Sequence, residues 1–500
     1  MILKWHAYKY FPYEKELAGR EVKALLHIHD FSVRDDGVEL FGSPSLSAVK
    51  NLTYFSSLQR DESSTQTIQH QLEGTARTGK SKQATRYSVH GIHEYKGKFN
   101  PQIAKALLNI LGVKAGSRVL DPFCGSGTTL VEAAQMGAIG IGTDINPLAA
   151  YIANAKLLAL VTPIEQLEQI LKQIGNLKNV PEKSDLTTPD LRQQYLAAWF
   201  DSDILGQIEG LRNKIEFVAR DVAPIFLTIA SNLLRDYSQQ EPSDLRIRRR
   251  KAPMPDVPLM RRFTQDSQEF LRKVGLTQEL IGRTQATSKA VLGDIAHLDS
   301  LDAELAFDAA VTSPPYAMAL PYIDTQRLSL VWLDLAASDE LMRLEGTLIG
   351  SREMSTRAKR EMNDVLVSNS DDLPREEASL CIELNAALGE KDGFRRQAVP
   401  VLLYRYFVSM RKAFQSIMPA MKAGGKFALI VGHNHTTLGG KRFDIDTPRH
   451  LANLAKSCGW TIEELIPLQT YQRFGLHMNN AVASETLIVL QANNQSPDRR

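Results

Sequence analysis

Apolar residues at Ile103, Leu107, Leu108 and Leu111 recur at helical spacing and predict a helix over 101–111. Gly112 and Gly116 stop it ahead of Arg118-Val119-Leu120, a run short and apolar enough for a buried strand. A second such run, Ile139-Gly140-Ile141-Gly142-Thr143, follows a helical stretch over 129–136 that Gly137 closes. Pro147 then opens a helical pattern over 147–160, giving up an N–H that the first turn does not use. Strand, helix, strand and helix in this order make a βαβα unit.

Upstream, the pattern predicts a strand over 2–10 and a helix over 13–26, followed at 43–82 by a polar stretch rich in Ser, Thr and Gln that reads as a loop or linker. Residues 162–289 are helical and charged, an inserted helical subdomain interrupted by the basic run 244–251. Strands resume at 290–292 and 307–311, and a second charged insertion covers about 334–399. A helix over 401–418, a strand over 426–431, a helix over 448–457 and strands over 461–466 and 486–490 complete the chain. Helices alternating with buried strands imply an α/β fold with a doubly wound sheet. The boundaries are an N-terminal strand–helix segment and linker at 1–86, a core half at 87–160, an insertion at 161–288, core again at 289–333, a second insertion at 334–400, C-terminal core strands at 401–492, and a disordered tail at 493–500.

Composition adds little to this picture. Of 500 residues, 43% are hydrophobic and 23% charged, ordinary for a globular protein, and the net charge of +2 does not identify a polyanionic partner. No apolar run reaches the ~18 residues of a spanning helix, and the N-terminus leads into polar positions without a secretory signal, so a cytoplasmic protein with no membrane partner is expected. Cys124, Cys381 and Cys458 lie too far apart for a zinc clip, and no metal is expected.

Chemistry enters at Val119-Leu120-Asp121-Pro122-Phe123-Cys124-Gly125-Ser126-Gly127-Thr128-Thr129, where glycines and hydroxyl residues occupy a strand-to-helix turn. Such a turn is either structural or a loop that lets backbone approach a ligand. Asp144 favours the ligand loop, because it ends the next strand where a nucleotide-binding α/β fold puts an acid that accepts from both ribose hydroxyls. The loop has neither G-x-G-x-x-G nor a lysine for phosphate, so an adenosine ligand without phosphates suits it.

The loop resembles motif I of class I S-adenosylmethionine-dependent methyltransferases, in the form found in DNA amino-methyltransferases. His93-Glu94-Tyr95-Lys96-Gly97-Lys98-Phe99-Asn100-Pro101 is similar, more loosely, to their methionine-binding motif X. The resemblance implies a Rossmann-like methyltransferase sheet with helical insertions and S-adenosyl-L-methionine as cofactor. It would place Phe99 and Pro101 near the methionine moiety, Asp121, Gly125 and Gly127 around its amino acid end with Phe123 and Thr128 in the same loop, and Asp144 on the ribose. Asp294, in Gly293-Asp294 after a strand, resembles the acid that reads the adenine amino group; a helix cap explains it equally well. Cys124 beside such a loop is a neighbour of the cofactor and not a nucleophile.

Thr312-Ser313-Pro314-Pro315-Tyr316 follows the strand at 307–311. Consecutive prolines carry no N–H, so the loop offers carbonyl acceptors without competing donors. An exocyclic base amine, whose lone pair is delocalised into the ring, needs acceptors on its N–H bonds to attack a methyl carbon. Ser313 and the Pro314 carbonyl would hold those hydrogens, with Pro315 stiffening the turn and Tyr316 stacking on a flipped base. The run resembles the (Ser/Asp)-Pro-Pro-(Tyr/Phe) motif of amino methyltransferases, and serine in first place favours cytosine N4 over adenine N6. The motif order is X, I, IV.

The resemblance implies double-stranded DNA as partner and allows a cognate restriction endonuclease. Arg246, Arg248, Arg249 and Arg250 form the densest basic cluster, read as a DNA contact in preference to a solvated loop; Arg352 in the second insertion is another candidate. Gly432-His433-Asn434-His435 ends a strand where the base pocket is expected. A cytosine C5 enzyme needs a Pro-Cys nucleophile that is absent here. A tRNA guanine N2 methyltransferase, which shares the Asp-Pro-Phe-Cys-Gly loop, is the leading alternative.

Overall fold

The computed structural model describes residues 1–74, 83–177, 190–244, 247–285, 287–296, 306–317, 322–469 and 484–493. The tail at 494–500, most of the expected disordered segment, lies outside the described residues, as does Arg246.

The N-terminal region holds a five-stranded sheet of β1 (Ile2–Trp5), β2 (Phe31–Arg34), β3 (Gly37–Leu40), β4 (Phe55–Arg60) and β5 (Ser63–Gln66), in the order β2-β3-β1-β4-β5. This corrects the loop expected over 43–82, whose described part carries β4, β5 and the helices Leu46–Lys50 and Ile68–Gly74. The misleading composition has a physical cause. β5, Ser63-Ser64-Thr65-Gln66, is an exposed edge strand held by its ladder to β4, and an edge needs no apolar face. The apolar signal sits just before it, in Leu52, Tyr54, Phe55 and Leu58, all buried. β1 also ends earlier than expected, at Trp5, because Tyr8 and Tyr10 stack on each other at 4.8 Å and lead into the helix Pro12–Leu26.

The main sheet has seven strands: β6 (Arg118–Asp121), β7 (Ile139–Asp144), β8 (Lys289–Leu292), β9 (Phe307–Thr312), β10 (Met421–Gly432), β13 (Thr461–Gln469) and β14 (Ser484–Gln491). Its order is β13-β14-β10-β9-β6-β7-β8. β8, β7, β6, β9 and β10 pair in parallel, while β14 runs antiparallel to both its neighbours. The chain winds from β6 outward to β8, then returns to β9 on the other side of β6. That reversal opens a crevice at the carboxyl ends of β6 and β9, the place where such sheets bind ligands.

Both faces are covered, and the strands alternate accordingly. Val119, Ala309, Val311, Ala428, Ile430, Leu487 and Val489 face a layer containing the helices Pro12–Leu26 and Pro101–Ile110. Leu120, Ala310, Phe427, Leu429, Val431, Ile488 and Leu490 face the helices Val399–Ala420 and Thr447–Ser457. The N-terminal region is therefore a covering layer of the core and not an appended segment. Glu21 ties the two together: its carboxylate accepts from Thr53 N and Oγ1 and, at 2.6 Å, from Asn109 Nδ2.

The first insertion is helical, and its apolar cluster joins Phe226, Phe263, Phe270 and Val274 to Val131, Leu148 and Ile152 of the core, so it extends that layer without forming a free subdomain. The hairpin β11 (Asn434–Leu438) and β12 (Lys441–Ile445) was not expected. Its sequence signal is Gly439-Gly440, both at positive φ (54° and 81°), as a two-residue hairpin turn of the I′ kind requires. Among the described residues no single helix is long and apolar enough to cross a membrane.

Candidate active site

The loop leaving β6 is held from three sides. Gly127 has φ +77° and a Cβ there would lie 2.6 Å from the Ala153 Cβ, so glycine is needed for the helix Pro147–Val161 to pack this close. From the same helix the buried Lys156 sends its Nζ to Ser126 O at 2.6 Å and Ser126 Oγ at 3.1 Å, and burial pushes its pKa far down. Gly125, at φ +49°, faces the Tyr95 ring, 3.4 Å from where its Cβ would be.

Asp144 closes the loop. Its carboxylate accepts from Gly125 N at 2.9 Å and Asn146 N at 2.8 Å, one oxygen each. Burial pushes its pKa up to about 6, against the pull of those two amides. Asp121 behaves differently: its Oδ1 accepts from Thr312 Oγ1 at 2.7 Å and from Phe123 N at 3.2 Å, so it braces β6 against β9. Burial pushes Asp121 up to about 6 as well.

At the end of β9, Ser313-Pro314-Pro315-Tyr316 opens into the same cavity as Asp144, a cleft of about 280 Å3. The Tyr316 hydroxyl donates to Glu485 Oε1 at 3.3 Å across the mouth of β14. Burial raises the pKa of Tyr316 and also that of Glu485, the latter opposed by the hydrogen bond from Tyr316.

Of the residues singled out in the sequence, Phe99, Phe123, Gly125, Asp144, Asp294, Ser313, Pro314, Pro315 and Tyr316 line this cavity. Pro101, Asp121, Gly127 and Thr128 stand behind it. Pro101 starts a helix whose N-cap, Asn100, accepts from Gln102 N and Ile103 N. Thr128 Oγ1 donates to Phe99 O at 3.4 Å, tying the upstream segment to the loop. Asp294 both lines the cavity and caps locally, accepting from Ala296 N at 2.9 Å.

His433 and His435 do not line the cavity; His433 is turned to Thr486 Oγ1 and Asp446, because β11 folds away into its hairpin. Sequence reasoning passed over Tyr13, Asn146, Tyr322 and Glu485 in the lining. Asn146 had a signal, its place two residues after Asp144. Tyr13 and Glu485 had none, since they arrive from the two ends of the chain.

The basic cluster separates into distinct roles. Arg250 donates to the carbonyls of Ser238 (2.7 Å), Pro253 (2.8 Å), Asp236 (2.5 Å) and Arg235 (3.2 Å), which fixes the loop from within. Arg249 stacks over Trp199 at 4.7 Å and reaches Ala198 O. Arg248 is exposed and paired with Asp244 at 2.9 Å, and Arg352 is exposed in the second insertion.

A seven-stranded sheet of this order, with a glycine loop and a strand-end acid at its switch point, is a Rossmann-like fold of the kind that methyltransferases have. Residues 92–173 match the UPF0020 family, described as an RMKL-like methyltransferase domain. The chain is homologous to the type II methyltransferase M.MvaI of Kocuria varians, with 28% identity over 316 residues, 56% of this chain and 65% of that protein. The type II methyltransferase M.MjaII of Methanocaldococcus jannaschii is 46% identical over 88 residues, 18% of this chain and 16% of that protein. A tRNA (guanine(10)-N2)-dimethyltransferase of Methanothermobacter thermautotrophicus is 50% identical over 52 residues, 10% of this chain and 16% of that protein. Each alignment spans less than two thirds of the relative's own length.

S-adenosylmethionine is the cofactor of this class, and the cavity suits it. The lysine of the lining, Lys98, is committed to Thr85 O at 3.0 Å and His90 O at 2.9 Å, and burial pushes its pKa down to about 7. Among the described residues of the lining, a phosphate would find no free cation. Asp144, Asp294 and the rings of Tyr95, Phe99, Phe123 and Tyr322 instead make a wall of carboxylates and π-faces, which favours a cation without phosphates.

Proposed function

We propose that this protein transfers a methyl group from S-adenosylmethionine to the exocyclic amino group of a base flipped out of double-stranded DNA, with cytosine N4 as acceptor. One observation carries the reading: Ser313-Pro314-Pro315-Tyr316 and Asp144 face a single cavity, so an amine held by the first lies within the chamber that the second closes. The cofactor supplies an activated methyl on a sulfonium. Asp144 accepts from the ribose hydroxyls through lone pairs not used by Gly125 N and Asn146 N. Ser313 Oγ and the Pro314 carbonyl accept the two amine hydrogens and aim the nitrogen lone pair along the transfer line. The N–C bond made on the amine that Ser313 and Pro314 hold would replace the donor's S–C bond, and the surplus proton on nitrogen would pass to solvent. Tyr316 stacks on the base. Positioning of this kind supplies much of the rate when the donor is already activated.

Asp121 belongs to the same machinery indirectly. By bridging to Thr312 it sets the distance between the cofactor loop and Ser313. Arg248 and Arg352 are assigned to the DNA backbone, because they are exposed; Arg250, spent on carbonyls, is assigned to loop structure.

The tRNA guanine N2 reading draws on the 52-residue likeness, which covers 10% of this chain. One experiment tests both. The protein is incubated with methyl-labelled S-adenosylmethionine and either unmethylated phage DNA or bulk tRNA, and the nucleic acid is digested to nucleosides. N4-methylcytosine from DNA is expected; label in tRNA alone overturns the proposal.

A further inference from the structure

Glu485 stands out because nothing in the transfer chemistry described above uses it. It sits second in β14, the antiparallel strand, and reaches the cavity beside Ser313-Pro314-Pro315-Tyr316. Tyr316 donates to its Oε1 at 3.3 Å, which leaves Oε2 without a partner among the contacts of the described residues. Its register neighbours are Gly432 on β10 and Leu468 on β13, neither of which offers a cation. Among the described residues no cation pairs with this carboxyl. It is a polar group aimed into the chamber where the acceptor base is held.

Resting on the proposed base amino-methylation, we infer that Glu485 is a specificity-determining residue: it reads the Watson–Crick edge of the flipped base at the ring nitrogen next to the reacting amine. With Oε1 taking the Tyr316 hydroxyl, a neutral carboxyl presents its O–H from Oε2. Cytosine offers N3 as an acceptor next to its amine, so the O–H donates to N3 while Ser313 and Pro314 hold the amine. Guanine has an N–H at the corresponding position and would set two donors against each other. The hydrogen bond from Tyr316 then has a second purpose, orienting the carboxyl that discriminates.

Burial favours the neutral form of Glu485, in keeping with this role. The titratable group in contact is Tyr316; Asp144, Asp294 and Tyr322 line other parts of the same cavity, and β10 and β13 contribute none at the register positions. A glutamine preserves a donor in the same place but does not titrate.

The test compares wild type, Glu485→Gln and Glu485→Ala on unmethylated phage DNA under single-turnover conditions, with S-adenosylmethionine affinity measured by calorimetry on each. Glu485→Ala is expected to lose about tenfold or more in transfer rate, the cost of one hydrogen bond to the reacting base, with cofactor affinity unchanged. Glu485→Gln is expected to stay within about threefold of the highest wild-type rate, because its amide donates in place of the O–H. The wild-type rate should fall as pH rises and the carboxyl ionises, while Glu485→Gln stays flat there. Equal rates for wild type and Glu485→Ala, or a parallel loss of cofactor affinity, would overturn the assignment while leaving DNA methylation itself intact. Absence of label in DNA with the wild type overturns the function proposed above instead.

Discussion

The wall of the cavity proposed for the cofactor and the wall proposed for the acceptor base are closed over very different distances along the chain. Gly125 and Asp144, which meet through one hydrogen bond, are 19 positions apart, whereas Tyr316 and Glu485 are 169 apart. A wall closed locally carries its own geometry, because its glycine conformations and its strand-end acid lie within one βαβ unit. Such a unit can be matched by itself: residues 92–173 fit a methyltransferase domain family. The acceptor wall needs β9, β14 and the second insertion brought together by the sheet. It follows that changes in the first wall should affect folding and cofactor affinity, and changes in the second the choice and capture of the base.

The largest expected effect tests the first wall at its tightest point. Gly127→Ala forces a Cβ to 2.6 Å from Ala153 at φ +77°, which should destabilise the protein by about 3 kcal/mol in denaturant titration. Wild-type stability would show that the loop yields, and that its geometry is not set by packing. On the second wall, Tyr316→Ala should slow single-turnover transfer tenfold to hundredfold, on the order of one stacked base, with cofactor affinity kept. Tyr316→Phe keeps the ring and should be mild. A loss of cofactor affinity in Tyr316→Ala would break the division between the walls.

Asp144→Ala should weaken S-adenosylmethionine binding by about 1–3 kcal/mol through loss of hydrogen bonds to the ribose. Its pKa adds a sharper test. Ionised, Asp144 offers only acceptors; protonated below about 6, it turns one of them into a donor. Affinity should therefore fall as pH drops through about 6 in the wild type and stay level in Asp144→Asn, as calorimetry at several pH values would show. The smallest effect concerns the basic loop. Arg248→Ala should make the dependence of log K for DNA on log salt shallower by about one unit, the signature of one phosphate contact. Arg250→Ala should instead lower the melting temperature, because four carbonyls lose their donor.

The same contrast explains how much was legible beforehand. The sheet strands of the core and the helices between them follow from hydrophobic patterning, since the central strands β6, β9 and β10 are apolar on both faces. The exposed edge strand β5 and the hairpin of β11 and β12 were missed, because their stability lies in backbone ladders that polar side chains do not advertise. Among site residues, Asp144 and Ser313 to Tyr316 were visible as strand ends joined to glycine or proline turns. Arg248, Arg249 and Arg250 looked alike as charges and proved unlike as contacts.

By itself the sequence determined the α/β class, the glycine loop with its acid, and the proline-stiffened turn, since glycine and proline act on the dihedrals of their own residues. Tertiary structure decided which of those residues share a cavity. It turned Asp121 away towards Thr312, brought Tyr13 in from the N-terminal layer, set Glu485 against Tyr316 and committed Arg250 to the interior of its own loop. These are contacts between side chains whose neighbours in the chain point elsewhere, and only the packing of whole layers brings them within reach.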